Sequence, residues 1–237
     1  MTEAMLKIEK LNAFYGKAHI LFDVSLEVQP GEVVALMGRN GAGKSTTLKA
    51  AMGLVDRKRG GVHFRGQDVS SMSSYRISQL GLGFVPEDRR IFTDLSVMDN
   101  LEVGRQRPRA GMEPWTPERL FRLFPNLAEM PNRLGGRMSG GEQQMLSVSR
   151  TLMGNPYLVL LDEPSEGVAP VIVEKMASMI LELKREGVSI LLSEQNTHFA
   201  EIVSDRVYVL EKGQIRYEGS MRELSVNEEV RRAYLEA

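Results

Sequence analysis

The residues best equipped for chemistry in this 237-residue chain run without a break: Gly38, Arg39, Asn40, Gly41, Ala42, Gly43, Lys44, Ser45 and Thr46. Their spacing is G-x-x-x-x-G-K-[ST], the pattern of a loop that cradles phosphates. Glycines let backbone N–H groups turn toward phosphate oxygens, and a helix N-terminus behind them adds partial positive charge. In such a loop Lys44 is expected to reach the β- and γ-phosphates of a nucleotide, and the Ser45 hydroxyl to face Mg²⁺. A plain Gly-rich turn before a core helix is the alternative. The flanks favour a nucleotide site, because residues 33–37 read as an apolar strand and residues 47–52 as a helix.

A second constellation lies far downstream, where the apolar run 157–161 ends in Asp162 and Glu163. Asp162 at the end of a strand can hold Mg²⁺, directly or through water, and Glu163 can accept a proton from an attacking water. Mg²⁺ dehydrates reluctantly, so few protein ligands are expected: Ser45, Asp162 and phosphate oxygens. Taken alone, two acids after a strand also read as a solvated turn. Together with the phosphate loop they predict a Mg-dependent phosphoanhydride hydrolase.

The rest of the chain must position these groups. With 42% hydrophobic residues it can bury a full core. Its net charge of −1 comes from interspersed acids and bases, and no basic stripe argues for nucleic acid. The chain has no cysteine, which excludes disulfides and thiolate metal sites, and its three histidines are scattered. The first seven residues lack the basic start and apolar run of an export signal, and no apolar run approaches a membrane span. Work at a membrane would need a partner that spans it.

In chain order, residues 5–9 and 26–28 read as short strands, with turns at 15–17 and 29–31. Arg57-Lys58-Arg59-Gly60-Gly61 reads as a basic turn, followed by strands at 62–64 and 81–85. From residue 86 to about 136, Pro, Arg and Gly become frequent and the remaining apolar periodicity is helical, which predicts an inserted helical lobe. Ser139 opens a helix that Asn155-Pro156 stops. The wholly apolar run before Asp162 suggests a strand buried on both faces of a parallel sheet. Residues 170–184 read as helix, 188–192 as strand, and 207–217 as a hairpin about Lys212-Gly213. Alternating strand and helix predict the α/β class. The segment after about Asn227 reads as a terminal helix.

The phosphate loop, Met138-Ser139-Gly140-Gly141-Glu142-Gln143-Gln144 and the run 158–164, in this order, resemble an ABC-transporter ATPase subunit. Residues 85–92, 162–170 and 193–196 are similar to the branched-chain amino acid uptake branch, and to the shorter of its two paired ATPases. The resemblance implies one domain over residues 1–237, with a P-loop NTPase core of mostly parallel sheet, an N-terminal antiparallel β region and the helical lobe inserted at 86–136. It implies a head-to-tail dimer, of like or unlike subunits, with ATP between them. Ser139, Gly140 and Gly141 of one subunit would then donate to the γ-phosphate held by the other. The same Ser-Gly-Gly-Glu also fits a plain N-cap with a capping box. The resemblance further implies that Tyr15 stacks on adenine, where residue type alone would suggest a turn or core aromatic.

Three departures from the family pattern stand out. Glu87 replaces the usual Gln, where a carboxylate can still bind Mg²⁺ or orient water but adds charge beside the γ-phosphate. Gln195 replaces the usual switch His and can donate to the γ-phosphate without ionising. His198, three residues on, reads as a surface histidine. Ala169 replaces an Asp, which leaves that residue's cross-dimer contact without its carboxylate.

The implied function is ATP hydrolysis driving a membrane importer from the cytoplasmic face of the cell membrane. Integral membrane permease subunits would be direct partners, and a substrate-binding protein an indirect one. The lobe led by Glu87 would meet a short helix of the membrane subunit through Phe92, Leu95 and the Arg89-Arg90 pair, which otherwise read as a solvated basic turn. Branched-chain amino acids are the implied cargo, with urea or short amides as the alternative. A soluble ABC ATPase acting on DNA or ribosomes fits less well, since the chain has one cassette and no coiled-coil insert. A regulatory module that holds ATP without hydrolysing it is argued against by the presence of Lys44 and Glu163.

Overall fold

Strand periodicity sorts the residues of this protein onto the two faces of a central sheet. The computed structural model describes residues 3–235, so Met1, Thr2 and the last two residues, which belong to the reading of 1–237 as one domain and of an N-terminus without a signal, lie outside it. The chain opens with β1 (Leu6–Tyr15), β2 (Ala18–Val28), β3 (Val33–Met37), α1 (Lys44–Ala51), β4 (Arg57–Phe64), β5 (Gln67–Asp68), α2 (Ser74–Leu80) and β6 (Leu82–Val85). It continues through α3 (Val97–Gly104), α4 (Pro117–Leu123), α5 (Pro125–Ala128), a 3₁₀ turn at Gly135–Arg137, α6 (Gly140–Leu152), β7 (Leu158–Asp162) and α7 (Pro170–Arg185). The last elements are β8 (Ser189–Glu194), α8 (Thr197–Val203), β9 (Arg206–Glu211), β10 (Gln214–Ser220), α9 (Met221–Val226) and α10 (Glu228–Tyr234).

One sheet is antiparallel, in the order β2-β1-β4-β5, and the other runs β10-β9-β3-β8-β7-β6. In the second, β6, β7, β8, β3 and β9 are parallel and β10 returns as an antiparallel edge. The α/β core, its mostly parallel sheet and the N-terminal antiparallel region are therefore as the sequence implies. Val34 and Leu36 pack toward the antiparallel sheet, together with Leu158, Leu160, Leu191 and α1. Val33, Ala35 and Met37 face the other way, onto a core that includes residues of α6, α7 and α8. This alternation on strands buried on both faces explains why they read as unbroken apolar runs.

Several sequence readings need correction. Arg57 to Gly61 is not a turn but the first half of β4, paired with β1. A Cβ at Gly60 would stand 2.4 Å from the Lys10 carbonyl, so the glycine serves a close strand approach there. β1 extends well past Glu9 because a bulge at Lys10 (φ 47°) resets its alternation from Leu6 and Ile8 to Leu11 and Ala13. β7 ends at Asp162, and Glu163 lies beyond it in the left-handed region, φ 48°.

Residues 86–136 carry α3, α4 and α5 joined by irregular chain. Gly104 ends α3 where a Cβ would meet the Arg150 carbonyl at 2.1 Å, which brings α3 close to α6. Arg109 ties the following loop down: its guanidinium donates to the carbonyls of Ser78, Gln79, Gly154 and Asn155, near the C-terminal ends of α2 and α6. Cationic groups are favoured at helix C-termini, where carbonyls lack helical partners.

Candidate nucleotide site

The loop between β3 and α1 owes its shape to glycine. At Gly38 (φ 154°) a Cβ would sit 2.2 Å from the Leu210 carbonyl, and at Gly43 (φ 110°) 2.7 Å from Leu21. Only a residue without Cβ lets the loop lie this close to β9 and β2 while turning into α1. The loop is pinned further by the Gly213 N–H donating to the Ala42 carbonyl at 2.8 Å. No acid stands in the first turn of α1, so its positive end is not offset within the helix itself.

Lys44 begins α1 with its side chain buried. Its ammonium donates to the Gly38 carbonyl at 3.0 Å and pairs with Glu163 Oε1 at 2.9 Å. Ser45, Thr46, Asn40, Gly41, Gly43 and Lys44 line a cavity of about 450 Å³, together with Tyr15, Glu87, Glu163 and Glu166. Tyr15 ends β1, half-exposed beside the cavity, and is not part of the turn that follows.

Across the cavity, the C-terminal end of β8 holds the end of β7. Ser193 Oγ donates to Asp162 Oδ1 at 2.7 Å, and the Glu163 N–H donates to Ser193, to the carbonyl and the hydroxyl, both at 3.1 Å. The buried Glu194 carboxylate accepts from the N–H groups of Ser165 (3.1 Å), Gln195 (2.9 Å) and Asn196 (2.9 Å), which ties the Glu163 loop to the Gln195 loop. Burial pushes the Glu194 carboxyl above its ordinary value, against the pull of those donors. Asp162 is fully buried, and its Oδ2 has no hydrogen-bond partner. A buried carboxylate oxygen left without a protein donor fits a hydrated cation.

Burial opposes ionisation of Glu163, but hydrogen bonds from Glu166 and Lys44, the Lys44 charge and the Gln195 amide outweigh it and hold the group below the usual carboxylate range. Gln195 Nε2 reaches both Asn40 Oδ1 at 2.6 Å and Glu163 Oε2 at 3.2 Å. One amide thus bridges the phosphate loop and the acid.

Arg39, in the same loop, is exposed and does not line the cavity. Ser139, Gly140 and Gly141 also lie outside it. Ser139 caps α6 in a capping box with Glu142, its N–H donating to Glu142 Oε2 at 2.7 Å, and its side chain remains exposed. Sequence reasoning missed the parts played by Ser193, Glu194 and Glu166. Polar side chains closing the apolar run of β8 were the available signal for the first two.

A second cavity of about 470 Å³ lies between α2, β6, α3 and α6, lined by exposed Tyr75, Phe92 and Val103 with Arg90 and Arg150. Phe92 and Arg90 are thus on it, whereas Leu95 is not. Arg89 is turned toward α6: its carbonyl accepts from Ser147 Oγ at 2.7 Å, and its guanidinium lies against Gly140. Arg89 and Arg90 both have positive φ, 61° and 46°, a strained turn that begins two residues after Glu87.

Comparison with known proteins gives one consistent picture. The family profile described as ABC transporter matches residues 21–166. The high-affinity branched-chain amino acid transport ATP-binding protein BraG of Pseudomonas aeruginosa is 42% identical over 231 residues, covering 98% of this chain and 99% of that one. The lipopolysaccharide export system ATP-binding protein LptB of Haemophilus influenzae is 33% identical over 98% of this chain and 97% of its own. Among solved structures, an ATP-binding subunit of an ABC transporter superposes with a TM-score of 0.80 at 28% identity, covering 97% of this chain and 92% of its own. The ADP conformation of an ATP-binding cassette of an ABC transporter gives 0.78 at 27%, covering 96% and 97%.

Proposed function

The chain belongs to the ABC transporter family as one of its ATPase subunits, and from that premise we propose that it powers a membrane importer of branched-chain amino acids. The observation that carries the hydrolytic part is Glu163 at the phosphate-loop cavity, ion-paired to Lys44 and hydrogen-bonded by the Gln195 amide. The cargo rests on the likeness to BraG, whose identity of 42% exceeds the 33% to LptB at equal coverage of this chain.

In this reading Gly38 to Thr46 wrap the phosphates, Lys44 turns from Glu163 to phosphate oxygens, and Tyr15 stacks on adenine. Glu163 accepts the proton of the attacking water, Gln195 donates to the γ-phosphate, and Glu87 orients the water or binds the cation. Ser45, Asp162 and Glu87 would hold Mg²⁺, which when bound neutralises developing charge on the phosphates. Among the described residues no three His, Cys, Asp or Glu side chains cluster as a metal cage, which suits a cation held mostly by nucleotide and water.

No described helix is long and apolar enough to cross a membrane. In this reading the permease subunits span it. The residue 86–136 segment acts as the lobe that contacts them, through the cavity beside Phe92 and Arg90, at the cytoplasmic face. Ser139, exposed, with Gly140 and Gly141 at the start of α6, serves a nucleotide held by a second ATPase subunit, like or unlike this one, and a substrate-binding protein delivers cargo to the far side.

Proteoliposomes containing the chain and its permease subunits test the reading. ATP should drive uptake of radiolabelled leucine, isoleucine and valine, and Glu163→Gln should abolish both uptake and ATP hydrolysis while ATP still binds. Uptake of urea without leucine would move the cargo to small amides, and full hydrolysis by Glu163→Gln would remove that residue as the base.

A further inference from the structure

Glu194 closes β8 with its side chain buried, and the reaction above does not use it. Its Oε2 accepts from the N–H groups of the next two residues, Gln195 and Asn196, both at 2.9 Å. A side chain that takes the N–H groups just beyond its own residue bends the chain, much as an Asx turn does. This bend leads out of the strand and into α8, which Asn196 caps by accepting from the Phe199 N–H at 3.0 Å. Gln195 stands between strand and cap, so the Glu194 carboxylate sets the direction in which it leaves the sheet.

The other oxygen, Oε1, accepts from the Ser165 N–H at 3.1 Å, two residues beyond Glu163. One buried group thus joins the segment that carries the base to the segment that carries Gln195. The three N–H groups arrive at both oxygens, and only a carboxylate offers an acceptor to each side. The result shows at the side chains, where Gln195 Nε2 lies 3.2 Å from Glu163 Oε2 and 2.6 Å from Asn40 Oδ1. Gln195 is only partly buried, so the backbone beneath it has to hold what packing does not.

We infer that Glu194 is a positioning residue: its carboxylate fixes the Gln195 backbone against the Glu163 segment, so that the Gln195 amide meets both the base and the phosphate loop. The inference rests on the reading of Glu163 and Gln195 as groups of the reaction. Glu194 does not line the nucleotide cavity and acts through those two residues.

Glu194→Gln, Gln195→Ala and the double variant test this in the complex with membrane subunits, beside wild type and Glu163→Gln. Glu194→Gln keeps the shape of the side chain but turns an NH₂ toward one set of N–H donors. It should lower kcat about tenfold with KM for ATP unchanged, the effect of losing one hydrogen bond to a charged group. Added to Gln195→Ala, the same change should lower kcat by less than about twofold, because the amide it positions is gone. A tenfold loss in both backgrounds would show general support of the fold and overturn the inference, as would wild-type kcat in Glu194→Gln. Wild-type kcat in Gln195→Ala or in Glu163→Gln would instead remove the reading beneath the inference, and the inference with it. Hydrogen exchange on the wild-type complex needs no variant. The amides of Ser165, Gln195 and Asn196 should be protected without nucleotide and should open together. Fast exchange at these three positions would sink the inference whether or not Glu194→Gln folds.

Discussion

Lys44 Nζ and Glu163 Oε1 stand 2.9 Å apart with both side chains buried, so each is the counter-charge of the other. Breaking a buried pair from one side leaves an uncompensated charge, which costs far more than removing both groups. Lys44→Met should therefore destabilise the nucleotide-free protein by about 3 kcal/mol in urea unfolding. The double variant Lys44→Met with Glu163→Gln should regain most of that. Equal losses in single and double variants would show that the charge pair is not the source.

Asp162 offers a buried Oδ2 with no hydrogen-bond partner, while its Oδ1 is held by Ser193. Asp162→Asn keeps the acceptor for Ser193 and removes the charge. The Mg²⁺ concentration for half-maximal ATP hydrolysis should rise roughly tenfold or more. An unchanged Mg²⁺ dependence would exclude Asp162 from the cation site.

Tyr208 supplies a pH prediction away from the site. Its buried hydroxyl donates to Glu218 at 2.9 Å and accepts from Arg206 at 2.8 Å. Burial pushes it up to about 12 from an ordinary value of 10.0. Because the folded state holds this proton more tightly, its contribution is complete below pH ~10 and lost as the pH rises through ~12. Across that window wild type should lose about 3 kcal/mol relative to Tyr208→Phe, at about 1.4 kcal/mol for each pH unit. The stability difference between the two proteins isolates this residue from the lysines that titrate nearby.

Asn155 joins the irregular chain after α3 to the end of α6. It sits in the left-handed region at φ 52°, its Oδ1 accepts from the Trp115 N–H at 2.7 Å, and its Nδ2 donates to the Gln106 carbonyl at 3.2 Å. Asn155→Ala loses these bonds and adds backbone strain, for a cost of about 3 kcal/mol. Asn155→Gly removes only the bonds and should fall between wild type and the Ala variant in thermal unfolding.

The sequence is most legible where chemistry is local. Gly38 to Ser45 carries its geometry in consecutive residues, and Ser139 with Glu142 announces a helix start that the structure contains as a capping box. The parallel strands β3 and β7 are readable because burial on both faces leaves runs of apolar residues before their ends. β4 was not, since Arg57, Lys58, Arg59, Gly60 and Gly61 are poor strand formers that the antiparallel pairing with β1 overrides. The left-handed backbone of Glu163 follows from the grip of Ser193, thirty residues downstream. The Gln195–Asn40 bond was equally hidden, because no local pattern reports which strand ends become neighbours.

That bond spans 155 residues of sequence. A ribosome elongating at about 5–20 residues per second needs on the order of 10–30 s to travel from Asn40 to Gln195. Through that interval the emerging chain carries a finished phosphate loop, then for a time also Glu163, but not the amide that spans them. β8, which separates β3 from β7 in the sheet, is likewise among the later strands to be made. Unfinished copies therefore lack part of the site, and only chains translated past residue 195 possess all of it.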